Sequence, residues 1–256
     1  MSALRMAVRA ELTKARSLRS TWWSLLVATA LSIGLSALIG LSLRDARLSE
    51  RNTWDPVRYG YFGLTIGLIV LVVFGVMLVS GEFTSGTIRA SLAAVPRRGV
   101  FLGAKVLAGA GVAAVVSVVC GFGAFLAVQP VLGDRGTSLG EPGVLRAVFG
   151  ACLYLALMAV FAMGVAAMLR STALCLGIMI PILFLNSQGL ANLPAIRPVT
   201  QFLPDQAGIV LTQSVPQPPG SIGHTDFGWG GALLVLLAWT LAALAGGFVS
   251  VRRIDP

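Results

Sequence analysis

The fold of this chain is decided by residues 81–98, which read GEFTSGTIRASLAAVPRR and separate two long apolar runs. Within this polar island, Ile88, Leu92 and Val95 recur at the spacing of one face of a helix. Basic residues and one acid accompany the apolar stripe: Arg89, Arg97, Arg98, Lys105 and Glu82. This pattern predicts a short amphipathic helix that lies at a membrane surface and is offered to a partner.

The composition places the chain in a membrane. Of its 256 residues, 56% are hydrophobic and 11% are charged, whereas a soluble domain carries about 25% charged residues. Apolar runs of about 20 residues are long enough to cross the hydrocarbon core as helices. We therefore predict an all-α membrane protein that forms a single transmembrane domain, residues 1–256. Its predicted spans are 22–43, 59–80, 106–127, 147–169, 172–190 and 230–251.

The fourth and fifth predicted spans are separated only by Arg170 and Ser171. A single uninterrupted helix over both would be about 66 Å long at about 1.5 Å per residue. That length is roughly twice the thickness of the hydrocarbon core, about 30 Å. We therefore predict a tight turn at Arg170.

The distribution of charge predicts the orientation of the spans. When the amino terminus is placed inside and the spans alternate, the inner segments hold twelve basic residues and three acids. The outer segments hold seven of each, so the whole formal charge of +9 falls on one side. The positive-inside rule then places both termini in the cytoplasm. Topology and anionic lipid explain the basic charge, so it does not indicate a nucleic-acid partner.

The residues before the first span predict a surface helix rather than a cleaved signal peptide. Leu4, Val8, Leu12, Ala15 and Leu18 share one helical face, and the basic residues lie largely off it. We interpret this segment as an interfacial helix that leads into the first span. A basic tail that only sets topology and a helix that also binds a partner both remain open.

The sequence contains no constellation typical of catalysis or metal binding. Cys120, Cys152 and Cys175 lie within predicted spans without paired spacing, and His224 is the only histidine. No nucleophile elbow and no phosphate-binding loop is present, so we expect neither enzymatic activity nor a cofactor or metal in this chain. No predicted span carries a charged residue at its centre. Such residues mark proton pathways, so their absence argues against a proton-driven transporter.

The loop before the last predicted span, roughly residues 191–229, is rich in proline but begins with an apolar cluster. The cluster spans residues 202–211 and is too short to cross a bilayer. We therefore expect a re-entrant or interfacial helix there.

Several motifs, taken in order along the chain, resemble the ABC-2 type permeases, the membrane subunits of bacterial ABC exporters. They are ELTKARSLRSTWW (residues 11–23), EFTSGTIR (82–89), PRR (96–98), Leu203-Pro204 with Gly208, and RRID (252–255). The last motif departs from the family pattern, because Ile254 stands where a third basic residue is often found. The resemblance implies a permease domain of six helices in the cell membrane, in contact with membrane lipid. It also implies a homodimer or a dimer with a paralogous permease.

The same resemblance implies a separate ATPase subunit on the cytoplasmic side, which would bind ATP and Mg. The short helix after the second span would dock into that ATPase. The residues that the resemblance assigns to this coupling role are Glu82, Gly86, Thr87, Arg89, Arg97 and Arg98.

The resulting hypothesis is a permease that exports an amphipathic or apolar molecule by alternating access, driven by the ATPase. A membrane sensor or immunity subunit that docks the same kind of ATPase without transport is the alternative. A membrane-embedded enzyme would need convergent ionisable groups in the spans. At the level of residues, Glu82 could instead cap the surface helix, since acids favour helix starts. The arginines could hold lipid phosphates.

Overall fold

The computed structural model describes residues 3–17, 19–44, 54–95, 97–185, 196–218 and 224–253. Every regular element in these ranges is a helix, which confirms the predicted all-α fold. The α-helices are α1 (Ala3–Ser17), α2 (Arg19–Arg44), α3 (Pro56–Gly60), α4 (Leu64–Thr84), α5 (Ile88–Ala94), α6 (Arg98–Leu132), α7 (Val144–Leu169), α8 (Thr172–Leu185), α9 (Arg197–Thr200), α10 (Pro204–Leu211) and α11 (Trp229–Arg252). A 3-10 turn, Tyr61–Gly63, joins α3 to α4, and a second, Gly133–Arg135, follows α6.

Five helical stretches within the described residues are long and apolar enough to cross a membrane. They are Thr21–Arg44, Pro56–Thr84, Arg98–Arg135, Val144–Leu169 and Trp229–Arg252. Each contains one of the predicted spans almost completely. The remaining predicted span, 172–190, begins as the shorter helix α8, and residues 186–190 lie outside the described residues.

The predicted turn at Arg170 is confirmed. Arg170 ends α7 in the left-handed conformation, with φ of 55°, and its backbone N–H donates to Ala166 O. A side chain in this conformation is sterically disfavoured, so the helix cannot continue through it. The next helix, α8, begins at Thr172 and packs against α4 and α7.

Helix α7 lies at the centre of the bundle, where it packs against α4, α6 and α11. Six of its seven alanines, among them Ala151, Ala159 and Ala166, are fully buried. Small residues let the neighbouring backbones come close, as is usual for helices packed in a membrane. The two helices come close at Gly75 of α4, where an added Cβ would lie 2.5 Å from Ala159 O.

Helix α6 begins earlier than the sequence predicts. The apolar run starts at residue 106, but the helix starts at Arg98, so Arg98 and Lys105 are helical rather than parts of a loop. With 35 residues, α6 is about 52 Å long, longer than the hydrocarbon core of about 30 Å. Its first turns, residues 98–105, thus extend the predicted span, and Phe101, Leu102 and Ala104 in them are buried.

Helix α1 packs along this extension of α6. The sequence correctly predicts a helix here but misplaces its inner face. Leu4 is exposed, whereas Ala7 is buried and Val8, Glu11 and Leu12 are half-buried. The inner face is thus turned away from Leu4 and includes an acid. Leu18 lies outside the described residues.

At the opposite end of the bundle, α10 is almost wholly buried against α7 and α11. Its 8 residues span about 12 Å, too short for a crossing. The tight fit depends on glycine, because a Cβ at Gly150 of α7 would lie 2.0 Å from Leu211 O. The predicted short helix in this loop is therefore present within residues 202–211.

Candidate functional site

The segment between α4 and α6 contains a short helix, α5, at the place of the predicted apolar stripe. Helix α4 ends at Thr84, and Ser85 caps its carboxyl end. Gly86 then adopts φ of 72°, a conformation that glycine tolerates and other residues rarely adopt. Thr87 precedes α5, and Arg97, in extended conformation, precedes α6. The short helix α5 thus lies between the two long helices α4 and α6.

Helix α5 is amphipathic and lies on the surface. None of its seven residues is buried. Ile88 and Leu92, from the predicted apolar stripe, are half-buried, whereas Arg89 and Ala93 are exposed. Its apolar stripe thus faces the rest of the protein, and the face that carries Arg89 is open to a partner.

Glu82 does not lie on this open surface. It belongs to the last turn of α4, and only 4% of the residue is exposed. The alternative that Glu82 caps the surface helix is wrong, because the residue before α5 is Thr87 and Glu82 lies within α4. Its carboxylate instead accepts hydrogen bonds from Lys14 and Lys105.

Lys105 is the centre of a buried group of charges. Its Nζ lies 2.8 Å from Glu11 Oε2 and 3.0 Å from Glu82 Oε1, and the residue is 1% exposed. Lys14 pairs with the same oxygen of Glu82, but its side chain is 49% exposed. We call Glu11, Lys14, Glu82 and Lys105 the four-charge cluster. It joins α1, α4 and α6, and its formal charges cancel.

Reasoning from the sequence missed this cluster, although one signal for it was present. The chain has 19 basic residues but only two lysines, Lys14 and Lys105. Both lie in the cluster, together with two of the three acids predicted for the inner side. A lysine can be held as a compact charge where the guanidinium of an arginine would need more space and more acceptors.

Further hydrogen bonds connect this end of the bundle. Ser80 Oγ lies 2.7 Å from Thr172 Oγ1, which joins α4 to α8. Arg98 Nη1 donates to Arg252 O at 2.8 Å, which joins the start of α6 to the end of α11. Both helices that carry α5 are therefore anchored to other parts of the bundle.

The six residues predicted for coupling thus divide into two groups. Gly86, Thr87, Arg89 and Arg97 are exposed around α5. Glu82 and Arg98 face the bundle, in the four-charge cluster and at the end of α11 respectively. The structure places all six within one segment, but only the first group is exposed.

A family comparison agrees with this architecture. The family described as ABC-2 family transporter protein matches residues 7–187, which include most of α1, the four-charge cluster and α5. The chain belongs to the ABC-2 transporter family. No curated protein matches it. Members of the ABC-2 family are membrane components of transporters and generally work with an ATPase subunit.

A second buried charge lies at the opposite end of this ABC-2 protein. Asp55 is fully buried and caps α3 through the N–H groups of Val57 and Arg58. Its carboxylate also accepts from Ser214 N and Oγ, both at 2.7 Å, and from Val215 N at 3.1 Å. The start of the second predicted span is thereby joined to the segment after α10. Sequence analysis counted Asp55 only as an outer charge.

Among the described residues, no group of three or more His, Cys, Asp or Glu side chains could hold a metal ion. The three cysteines are buried, and none is in a disulfide. The features of this ABC-2 protein that invite a functional explanation are therefore the exposed helix α5 and the charges at its base.

Proposed function

We propose that this chain is the membrane-spanning permease subunit of an ATP-driven exporter, and that α5 docks into a separate ATPase subunit. The observation that carries the proposal is the position of α5. It is a surface helix with no buried residue, held between two of the helices that are long enough to cross a membrane. An amphipathic helix of this kind suits a groove on a partner protein.

The proposed topology has six spans with both termini in the cytoplasm of a bacterial cell. Helix α8 belongs to the fifth predicted span, 172–190. The excess of basic residues on the side of α5 supports this orientation, since positively charged segments stay in the cytoplasm. In this arrangement α1, α5 and the four-charge cluster lie at the cytoplasmic surface, and Asp55 and α10 lie at the outer one.

The exposed group around α5 would make the direct contacts. Arg89 and Arg97 present guanidinium groups, which bind carboxylates with paired hydrogen bonds. We expect acidic residues on the ATPase opposite them. Gly86 and Thr87 set the turn that aims α5. Glu82 and Arg98 would act indirectly, because they fix the helices on either side.

The energy source would be ATP and Mg bound by the partner chain. The centres of the predicted spans carry no charged residue that could relay protons. Closure of the ATPase around ATP would push α5, and the attached helices would rock to open the outer side.

The proposed substrate is an amphipathic or apolar molecule, and the proposed assembly is a dimer of this chain or of this chain with a paralogue. The uncharged span centres suit such a substrate. Helices α2 and α11 expose large apolar side chains, among them Leu31, Leu38, Leu234 and Leu241. Such faces suit membrane lipid or a second permease chain.

Affinity purification tests the proposal. The tagged chain, extracted from membranes of its own host, should bring down a separate ATPase with measurable ATP hydrolysis. The double variant Arg89→Gln/Arg97→Gln should insert normally but retain little ATPase. The matched control Arg44→Gln/Arg146→Gln removes two exposed arginines away from α5 and should behave as the unaltered chain. An unaltered chain that purifies without any ATPase, or a double variant that retains all of it, contradicts the proposal.

A further inference from the structure

We infer that Lys105 is a positioning residue for coupling, and that it makes α1, α4 and α6 move as one body when the ATPase displaces α5. This inference rests on the proposed function. It assigns roles to Lys105, Glu11 and Lys14, which lie outside the coupling segment itself.

The ion pair between Glu82 and Lys105 joins the two helices on either side of α5. Glu82 lies in the last turn of α4, and Lys105 lies near the start of α6. Their ion pair, at 3.0 Å, closes the base of the hairpin that carries α5. With that pair in place, a push on α5 cannot be absorbed by separation of α4 from α6. It must displace both helices together.

Helix α1 is attached to the same two helices. Lys105 Nζ also binds Glu11 Oε2 at 2.8 Å, across 94 residues of sequence. Lys14 reaches Glu82 from the same helix, one turn further along. Helix α1 is therefore attached to both sides of the hairpin, through Glu11 to α6 and through Lys14 to α4.

The deep burial of Lys105 and Glu82 also bears on the role of the cluster. Charges as deeply buried as Lys105 and Glu82 are costly to desolvate, and well-packed neutral residues of similar volume often replace such networks without loss of stability. Stability alone therefore does not account for the cluster. We assign it a different role: the directional ion pairs of the cluster fix α1, α4 and α6 in one relative position.

The two lysines should differ in importance. Lys105 is held by two carboxylates and is almost inaccessible to water, whereas the side chain of Lys14 is half exposed. Exposed ion pairs form and break readily, because water competes for both partners. Lys105 is therefore the fixed centre of the body, and Lys14 is an accessory contact.

The test compares the single variant Lys105→Met with the triple variant Glu11→Gln/Glu82→Gln/Lys105→Met. The single variant leaves buried carboxylates without their partner and is expected to fold poorly. The triple variant removes the three more buried charges together, leaves the half-exposed Lys14, and is expected to accumulate and to bind the ATPase. Loss of coupling in a folded triple variant separates positioning from simple stability.

The readout is the distance between spin labels on cysteines introduced at exposed positions, in the purified complex diluted with unlabelled chain. One pair, Thr13→Cys with Ala93→Cys, reports α1 against α5. A reference pair, Ala93→Cys with Val199→Cys, reports α5 against the opposite end of the bundle. The three native cysteines are buried and should not take up label.

On addition of a non-hydrolysable ATP analogue, the reference distance should shift, and the α1–α5 distance should stay constant. In the triple variant the α1–α5 distance should shift or broaden as well. An α1–α5 distance that shifts in the unaltered complex, or stays constant in the triple variant, overturns the inference but leaves the proposed function standing. A reference distance that ignores the nucleotide contradicts the proposed function and this inference with it.

Discussion

Lys105 and Glu82 form an ion pair of 3.0 Å that is shielded from water and closes the base of the hairpin carrying α5. The residues are 23 apart in the sequence, with the whole of α5 between them. The ion pair thus joins the ends of the two helices, α4 and α6, between which the surface helix α5 lies.

Removal of the central charge should destabilise the protein. Lys105→Met leaves Glu11 and Glu82 as buried carboxylates that have lost this partner, and breaking a buried network in this way costs about 3–5 kcal/mol. Thermal unfolding of the detergent-solubilised chain measures the loss. Lys14→Gln is the control, since half-exposed pairs contribute about 0–1 kcal/mol. Equal stability of the two variants would mean that the cluster is not a buried network.

Asp55 should be required for the structure of the opposite end. In Asp55→Asn, the amide NH2 group must face backbone N–H donors in either orientation, those of Ser214 and Val215 or those of Val57 and Arg58, so donors meet without an acceptor. The expected loss is about 1–3 kcal/mol, from the lost and unsatisfied hydrogen bonds. The melting temperature should fall for this variant but not for Asp134→Asn, whose side chain is exposed. An unchanged melting temperature for Asp55→Asn would show that the carboxylate is dispensable there.

The fit of α10 against α7 should tolerate no side chain at Gly150. An added Cβ would lie 2.0 Å from Leu211 O, so Gly150→Ala must displace α10. Such overpacking costs about 1–3 kcal/mol. Gly177→Ala in α8 is the matched control, because no atom lies within 4 Å of its added Cβ. There the change should be neutral or stabilising, since alanine favours helix by about 1 kcal/mol over glycine. Denaturation curves of the two variants measure the difference in stability, and equal stability would contradict the close fit at Gly150.

The orientation can be checked by labelling single cysteines in intact cells. Cysteines that replace Ala93 in α5 and Arg253 after α11 should resist a membrane-impermeant maleimide until the membrane is opened. A cysteine that replaces Val199, which is 75% exposed, should react from outside. Reaction of the cysteine at 253 in intact cells would refute the proposed placement of the carboxyl end.

Much of the fold could be predicted because it is encoded locally. Runs of about 20 apolar residues define long helices, and Arg170 is the one charge in an otherwise continuous apolar stretch. The stripe of Ile88 and Leu92 is equally local. These features follow from neighbouring residues, and the structure reproduces them.

The four-charge cluster could not be predicted in this way, because its members come from three distant helices. The apolar run that defines the third predicted span begins at residue 106, directly after the charged Lys105, so hydropathy alone leaves Lys105 outside the helix. In the structure its charge is balanced by Glu11 and Glu82, and the helix continues to Arg98. The inner face of α1 was misplaced for the same reason, since Glu11 turns inward to meet Lys105.

The most direct test of the central claim is photo-crosslinking from α5 in living cells. A photoreactive amino acid in place of Ala93, which is exposed on α5, should form an adduct between this chain and a separate ATPase. The same amino acid in place of Val199, at the opposite end, should form none. An ATPase adduct from position 93 alone is the result that the account predicts. Absence of any ATPase adduct at position 93, in a chain that is inserted and abundant, would contradict it.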